Sequence, residues 1–157
     1  MKTYRIVLMA AAVAALALTG SAFAHSAHSS AATVVTTKKS PLYGTILVTS
    51  SGQTLYLDSA DKPGHPACTG GCLSVWPPLK ASGTPKAAGS AKSSLLGTTK
   101  ITGGKQVTYD GHPLYTFASD SAGNPTSGEG SHGFYVVGPN GKAITKSTKP
   151  PGGGTGY

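Results

Sequence analysis

Short apolar or β-branched runs, separated by turn residues, make up the middle of this chain. Between residues 41 and 145 no segment sustains the 3.6-residue apolar period of an amphipathic helix, and glycine, asparagine, aspartate and proline recur between the runs. About 105 residues of this kind are enough for one ordinary domain. The pattern therefore predicts an all-β fold in a single folded domain over residues 41–145.

The turn residues predict where the strands pair. The two expected hairpins join residues 45–49 with 54–57 and residues 106–109 with 114–117. Asp110-Gly111, in the second turn, accepts the positive φ values that a type I′ turn requires. We expect residues 100–102 to extend the second hairpin into a meander, and residues 134–145 to form a closing hairpin.

The chain repeats itself at an offset of 59 residues, and GQTLYLDSAD at 52–61 corresponds to GHPLYTFASD at 111–120. The identical pairs are Gly44/Gly103, Val48/Val107, Thr49/Thr108, Gly52/Gly111, Leu55/Leu114, Tyr56/Tyr115, Asp61/Asp120, Gly64/Gly123, Pro66/Pro125 and Gly71/Gly130. Two such repeats, at about 41–80 and 98–145, are joined by a connector rich in glycine, alanine, serine and lysine. Because a small hairpin unit buries little surface alone, we expect the repeats to pack as one small sandwich or barrel-like domain with a pseudo-twofold axis. The expected core residues are Leu55, Tyr56, Trp76, Leu114, Tyr115, Phe117, Phe134 and Val136.

A signal peptide is predicted at residues 1–24. Two basic residues precede thirteen apolar residues, and the small-x-small triplet Ala22-Phe23-Ala24 follows them. The apolar run is shorter than the roughly 20 residues that a membrane-spanning helix needs. We therefore expect cleavage near Ala24 and a mature chain without a transmembrane segment, either secreted or held in the periplasm or cell wall. Residues 25–40 are predicted to be a flexible spacer, and residues 146–157 a disordered tail.

The charge balance narrows the class of partner. After cleavage eleven lysines face five acids, a net charge of +6. A basic protein is attracted to anionic surfaces, so we expect anionic cell-wall polymers or another envelope protein as the partner. The lysines are scattered, apart from Lys38-Lys39, and no arginine remains, so we do not expect nucleic-acid binding. The oligomeric state stays open.

Cys68 and Cys72 are the only cysteines. Thiols outside the cytoplasm are oxidised unless they are protected, so we expect a disulfide between them. A loop of this size constrains the unfolded chain little, which limits the stabilisation to about 2 kcal/mol. The predicted role of the bond is to fix one tight loop.

Several motifs together carry a family resemblance, and they are LYTFASD, CTGGC, VWPPL, SLLGTTK, QVTYDGHPLY and FYVVGPNGK. In this combination the chain resembles a family of bacterial secreted repeats, described as predicted lipoproteins with a Yx(FWY)xxD motif. The resemblance extends from about Pro41 to Lys142. It implies an exported repeat protein of a class without an established activity.

The resemblance also singles out motif residues. Tyr115, Phe117 and Asp120 fill the motif in the second repeat, whereas in the first repeat Tyr56 and Asp61 match it. Asp58 stands where the family has an aromatic residue. Trp76, in VWPPL, completes the set of motif and structural residues that we single out.

A metal or thiol redox site is one alternative. Its candidate residues are His65, Cys68 and Cys72, completed by His112 or His132. Structural zinc sites need a second pair of ligands, which the sequence does not supply at a typical spacing. The residue directly after the second cysteine is Leu73 and not a histidine, which disfavours covalent haem, and Cys-x3-Cys is a poor match to a thiol oxidoreductase. We therefore predict no cofactor.

A carboxylate site is the other alternative. Asp61 and Asp120 could act as the paired acids of a small hydrolase, and Asp58 with Asp61 could bind calcium. Both motif aspartates precede Gly/Pro turns, where an aspartate commonly bonds its own backbone, and the simpler interpretation of Asp58 is a solvated loop. The sequence as a whole predicts a non-enzymatic binding or structural module of the cell envelope whose ligand is unknown.

Overall fold

The computed structural model describes residues 31–145, so the predicted signal peptide, the start of the spacer and the tail at 146–157 lie outside the described residues. The described chain is almost entirely strands and turns, which confirms the all-β prediction. Its elements are β1 (Val34–Ser40), β2 (Gly44–Thr49), β3 (Tyr56–Asp58), α1 (Cys72–Val75), β4 (Lys86–Ala87), β5 (Leu96–Ile101), β6 (Gly104–Tyr109), β7 (His112–Pro113) and β8 (Phe134–Val136), with 3-10 turns at Ser93–Leu95 and Ser131–Gly133.

The described strands form three small sheets with the orders β2-β1-β4, β5-β6-β7 and β3-β8. All the pairings are antiparallel except β1 with β4. The sheets do not close into a barrel, so the sandwich-like form of the prediction is the one that holds. Two buried clusters fill the interior, one around Leu47, Leu55, Val107 and Leu114, the other around the aromatic residues.

The first strand corrects the predicted boundary of the spacer. β1 runs from Val34 to Ser40, inside the segment that composition assigned to a flexible spacer, and pairs along its length with β2. Val35 is fully buried, and Lys38 and Lys39 are exposed. The run of β-branched residues at 34–37 favours a strand, but the serine- and alanine-rich neighbourhood hides it. The folded part therefore begins before Pro41.

The two main hairpins differ by one residue. Asp110 (φ 50°) and Gly111 (φ 80°) form the predicted two-residue turn between β6 and β7. The closing hydrogen bond runs from Leu114 N to Val107 O in the second repeat, and from Leu55 N to Leu47 O in the first. The first turn is thus one residue longer than the second. Before the turns, equivalent positions such as Leu47 and Val107 are therefore 60 residues apart, and not 59.

Backbone hydrogen bonds define a pseudo-twofold relation between the repeats. Tyr56 and Tyr115 lie opposite each other and exchange two N–H to O bonds of 2.9 Å each. On either side, Leu79 N donates to Leu114 O (2.8 Å) and Val137 N donates to Leu55 O (3.2 Å). Leu79 and Val137 are therefore equivalent positions of the two repeats.

The aromatic core follows the same relation. Trp76 and Phe134 each lie three residues before one of these equivalent positions, and their rings stack with centroids 3.8 Å apart. Tyr56 meets Trp76 edge to face at 5.2 Å, and Tyr115 meets Phe134 edge to face at 5.3 Å. Of the eight expected core residues, seven are buried and Phe117 is partly buried against the same cluster.

Candidate binding site beside the disulfide loop

Each motif tyrosine is hydrogen-bonded to the motif aspartate of the other repeat. The Tyr56 hydroxyl donates to Asp120 Oδ2 at 2.8 Å, and the Tyr115 hydroxyl donates to Asp61 Oδ1 at 3.4 Å. Burial raises the pKa of both tyrosines above the ordinary value, so both hydroxyls stay protonated and act as donors. These bonds exist only when the repeats pack together, so the motif joins one repeat to the other.

The two motif aspartates also hold their own loops, as the sequence predicted. Asp120 Oδ1 accepts from the backbone N of Ser127 at 2.9 Å and from its hydroxyl at 2.8 Å. Asp61 Oδ1 accepts from the backbone N of Ala67 at 2.6 Å. Because Ala67 and Ser127 make the same backbone contact, they are equivalent, and the first repeat lacks the hydroxyl.

Asp61 is incompletely bonded, because Tyr115 and Ala67 both donate to its Oδ1. Its Oδ2 is buried and has no hydrogen-bond partner among residues 31–145. Burial, together with the nearby charge of Asp58, raises the pKa of Asp61 to about 6, against the lowering effect of the Ala67 bond. The carboxyl is therefore balanced between its neutral and charged forms near pH 6.

The two repeats also differ at the aromatic position of the motif, where the second has Phe117 and the first has Asp58. Phe117 packs on Trp76 in the second repeat, with ring centroids 4.5 Å apart. At the equivalent position of the first repeat, Asp58 lies opposite Phe134 in the β3·β8 pair and is only 6% exposed. The interpretation of Asp58 as part of a solvated loop is wrong, because the residue ends a buried strand and accepts a bond from Ala60 N at 2.9 Å on Oδ1.

A cavity lies where the first repeat lacks its aromatic side chain. Its volume is about 430 Å³. It is lined by Asp58, Ala60, Ala67, Cys68, Thr69, Cys72, Val75, Trp76, His132 and Phe134. We call it the Asp58 cavity.

A second, larger depression lies on the other side of the same loop, between residues 66–73 and the turn that joins β5 to β6. Its volume is about 550 Å³, and Lys80 and Lys100 supply its charges. It is lined by Pro66, Cys68, Thr69, Leu73, Pro78, Lys80, Lys100, Ile101, Thr102 and Gln106. We call it the lysine groove. Two smaller cavities lie beside Pro125 in the second repeat, with volumes of about 70 Å³ and about 280 Å³.

The loop between the two depressions carries the predicted disulfide. Cys68 and Cys72 are bonded, with their Cα atoms 5.5 Å apart, and both depressions include Cys68 in their walls. Neither sulfur is available as a thiolate ligand in this state. The bond therefore fixes the wall that the lysine groove and the Asp58 cavity share.

The histidines of the metal alternative do not form a set of metal ligands with the cysteines, although His132 lines the Asp58 cavity together with Cys68 and Cys72. His65 and His132 are exposed, and His112 lies in β7 with a buried Nδ1 that has no hydrogen-bond partner among the described residues. Within residues 31–145 no three His, Cys, Asp or Glu side chains lie close enough to hold a metal ion. Asp61 and Asp120, the pair of the hydrolase alternative, are each engaged by a tyrosine and a loop amide.

Charge is distributed unevenly between the surface and the interior. All nine lysines of the described chain are exposed, whereas each of its five acids is buried or half-buried. One ion pair occurs among these residues, between Lys142 Nζ and Asp110 Oδ2 at 2.8 Å. Lys80 and Lys100 were not singled out from the sequence, because isolated lysines give no local signal and only the fold brings them together.

The repeats that the geometry defines coincide with a sequence family. The profile of a family described as a secreted repeat of unknown function matches residues 34–80 and 98–137, and the chain belongs to that family. The resemblance drawn from the motifs is therefore confirmed at the level of the family. Comparison with curated proteins and with solved structures finds no match. Within residues 31–145, no helix has the length and apolar character required to cross a membrane.

Proposed function

We propose that this protein is a non-enzymatic binding module of the cell envelope, and that it holds an anionic envelope polymer in the lysine groove. The distribution of charge carries the proposal, since every described lysine is exposed and no described acid is. A surface of one sign attracts polyanions and speeds their association. Membership in a secreted repeat family agrees with an extracellular partner.

The groove offers a place where that attraction becomes specific. Lys80 and Lys100 have no acidic partner among the described residues, so their ammonium groups can pair with phosphate or carboxylate groups. Pro66, Leu73 and Ile101 present apolar surface beside them, on which the carbon backbone of a polymer can lie. The ligand class is therefore a flexible polymer with repeated anionic groups separated by short carbon segments.

The non-enzymatic part of the proposal rests on how the carboxylates are used. Asp61 and Asp120 belong to separate loops, and each accepts bonds that hold those loops and join the repeats. A hydrolase would need two carboxylates that both face one substrate. Here their bonds serve the scaffold.

Calorimetric titration with poly(glycerol phosphate) tests the proposal. The Lys80→Gln/Lys100→Gln variant removes both charges of the groove, and Lys86→Gln/Lys92→Gln is the matched control, because it lowers the net charge equally elsewhere on the surface. We expect the groove variant to bind at least about tenfold more weakly, equivalent to about 1.4 kcal/mol, and the control to lose much less. We also expect the wild-type affinity to fall as salt is added.

Two results would contradict the proposal. Equal losses in the two variants would mean that the polymer responds to overall charge and not to the groove. Absence of binding to the wild-type protein at low salt would remove the polyanion as the ligand class. An uncharged glycan of similar length should not bind, and it serves as the ligand control.

A further inference from the structure

The Asp58 cavity has a chemistry opposite to that of the lysine groove. Its only acidic lining residue is Asp58, and no lysine lines it. Oδ1 of Asp58 accepts from Ala60 N, whereas Oδ2 accepts no hydrogen bond from the residues that the structure describes. A carboxylate oxygen without a partner at the wall of a cavity is a site for a cationic donor.

The pseudo-twofold relation shows that the Asp58 carboxylate stands where the other repeat has a packed aromatic ring. In the second repeat, Phe117 fills the equivalent place and contacts Trp76, and Gly128 is so close that an added Cβ would lie 2.6 Å from the Trp76 ring. At the equivalent position of the first repeat the side chain is that of Asp58, and the cavity beside it has a volume of about 430 Å³. A buried aspartate in place of an aromatic side chain weakens a small core, so the exchange favours a role in binding over a role in stability.

The mouth of the cavity has a second polar group in an unusual conformation. His132 is exposed and has φ +53° in the turn Ser131–Gly133, a left-handed value that costs energy in a residue other than glycine. The residue lines the cavity, and an imidazole in its neutral form has one nitrogen that accepts a hydrogen bond. Val75, 45% exposed, gives the same mouth an apolar side.

These features together specify one class of ligand. An ammonium group donates three hydrogen bonds, and its positive charge can pair with the Asp58 carboxylate. A short alkyl chain attached to it fits against Val75 and the disulfide. We propose that the Asp58 cavity binds a primary alkylammonium group, with Asp58 as the ion-pair partner, His132 as a second acceptor and Val75 packed on the alkyl chain. This site is separate from the lysine groove and does not depend on the proposed polymer.

Amide chemical shifts of the protein, followed during titration with small amines, test the site. The probes are n-pentylamine, which is a free amine, and Nα-acetyl-lysine amide, which presents the same group as a peptide side chain. The uncharged controls are n-pentanol and the Nε-acetylated lysine derivative. We expect either amine to shift the amides of Asp58, Thr69 and His132 in a saturable manner, and the uncharged controls to leave them unchanged.

Variants separate the carboxylate from the shape of the cavity. Asp58→Asn keeps the volume and removes the charge, and we expect it to weaken amine binding at least about tenfold. Asp58→Phe restores the side chain of the second repeat, and we expect it to abolish binding by filling the cavity. Asp110→Asn removes a carboxylate that does not line the cavity and should leave amine binding unchanged.

The titrations of the wild type and of Asp58→Asn decide whether the cavity is an ammonium site. Binding of both amines, or of one only, with loss in Asp58→Asn supports the site, and the preferred probe identifies the source of the ammonium group. Unchanged amine binding in Asp58→Asn, or equal shifts with n-pentanol, would overturn it. If Asp58→Phe does not fold, Asp58→Asn alone decides. Polymer binding should be the same in wild type and Asp58→Asn, so failure here does not bear on the lysine groove.

Discussion

At the scale of single residues, two differences between the repeats change the bonding and packing around the motif. Ala67 stands where Ser127 supplies a hydroxyl, and Asp58 stands where Phe117 supplies an aromatic ring. The first change removes one donor to the motif carboxylate, and the second leaves a cavity. Asp61 Oδ2 is also buried without a partner among the described residues, because Tyr115 and Ala67 both donate to Oδ1. Both changes weaken the local packing or bonding of the first repeat.

The incompletely bonded Asp61 gives the protein a characteristic pH dependence. Burial raises the pKa of Asp61 to about 6, above the value of about 3.9 expected in the unfolded chain. Between these values the folded state binds more protons than the unfolded state, so the free energy of unfolding falls as the pH rises from about 4 to 6. The contribution is fully present below pH 4 and lost above pH 6. Since Asp61 is half-exposed, we expect a change on the order of 1 kcal/mol.

Urea denaturation at several pH values between 4 and 7 measures this dependence. We expect Asp61→Asn to flatten the fall in stability between pH 4 and 6. The matched control is Asp110→Asn. The bond to Lys142 lowers the pKa of Asp110, so the titration of Asp110 changes the stability only below about pH 4. The same slope in wild type and Asp61→Asn would contradict the assignment.

At the scale of the elements, the motif works as a connection between β3 and the second repeat. Tyr56 lies in β3 and bonds Asp120, which follows Phe117 on the other repeat, while Tyr115 bonds Asp61, which follows β3. The lengths differ, 2.8 Å against 3.4 Å, so the two connections are unequal. The shorter bond is also the one whose acceptor oxygen has no other hydrogen-bond donor among the described residues.

Matched tyrosine variants test this inequality. Tyr56→Phe leaves Asp120 Oδ2 without its donor, and we expect a loss of about 1–3 kcal/mol in the free energy of unfolding. Tyr115→Phe removes the longer bond, and Asp61 Oδ1 keeps Ala67 N, so we expect a loss below about 1 kcal/mol. Denaturant unfolding of the two variants at pH 7 gives the comparison. Equal losses of unfolding free energy, or a larger loss for Tyr115→Phe, would contradict the conclusion that the Tyr56–Asp120 bond is the stronger of the two.

Much of the element structure was predictable because repeated turns and apolar alternation are local signals. The Asp110-Gly111 turn, the closing hairpin around Val137 and Ala143, and the buried tyrosines all follow from such signals. Strand β1 was missed because its residues 34–37 are embedded in a serine- and alanine-rich segment. The extra residue in the first turn was missed because a gapless offset pairs Val48, and not Leu47, with Val107.

The candidate sites were harder to predict for a physical reason. Cys68, Cys72 and Asp58 stand out in the sequence, and they do line the two depressions. Lys80 and Lys100 lie 20 positions apart in unremarkable surroundings and meet only through the packing of the two repeats. A comparison of the repeats position by position points to Asp58 and Ala67, but the cavity itself is a property of the folded chain.

At the scale of the whole molecule, two equivalent halves enclose one aromatic core and present different surfaces. The acids serve internal bonds or lie partly buried, while the lysines face the solvent. The disulfide loop exists in the first repeat only and separates the lysine groove from the Asp58 cavity. A duplicated scaffold thus carries, on the two sides of this loop, two neighbouring sites of opposite charge preference.

Mapping the amide chemical shifts during titration with poly(glycerol phosphate) tests the central claim most directly, because it locates the polymer on the surface. We predict that the largest shifts fall on residues 66–73 and 100–106, on the two sides of the lysine groove. The amides of Lys86, Lys92 and Asp58 should move little. Shifts centred on Lys38 and Lys39, or spread evenly over the exposed lysines, would contradict a binding site in the lysine groove.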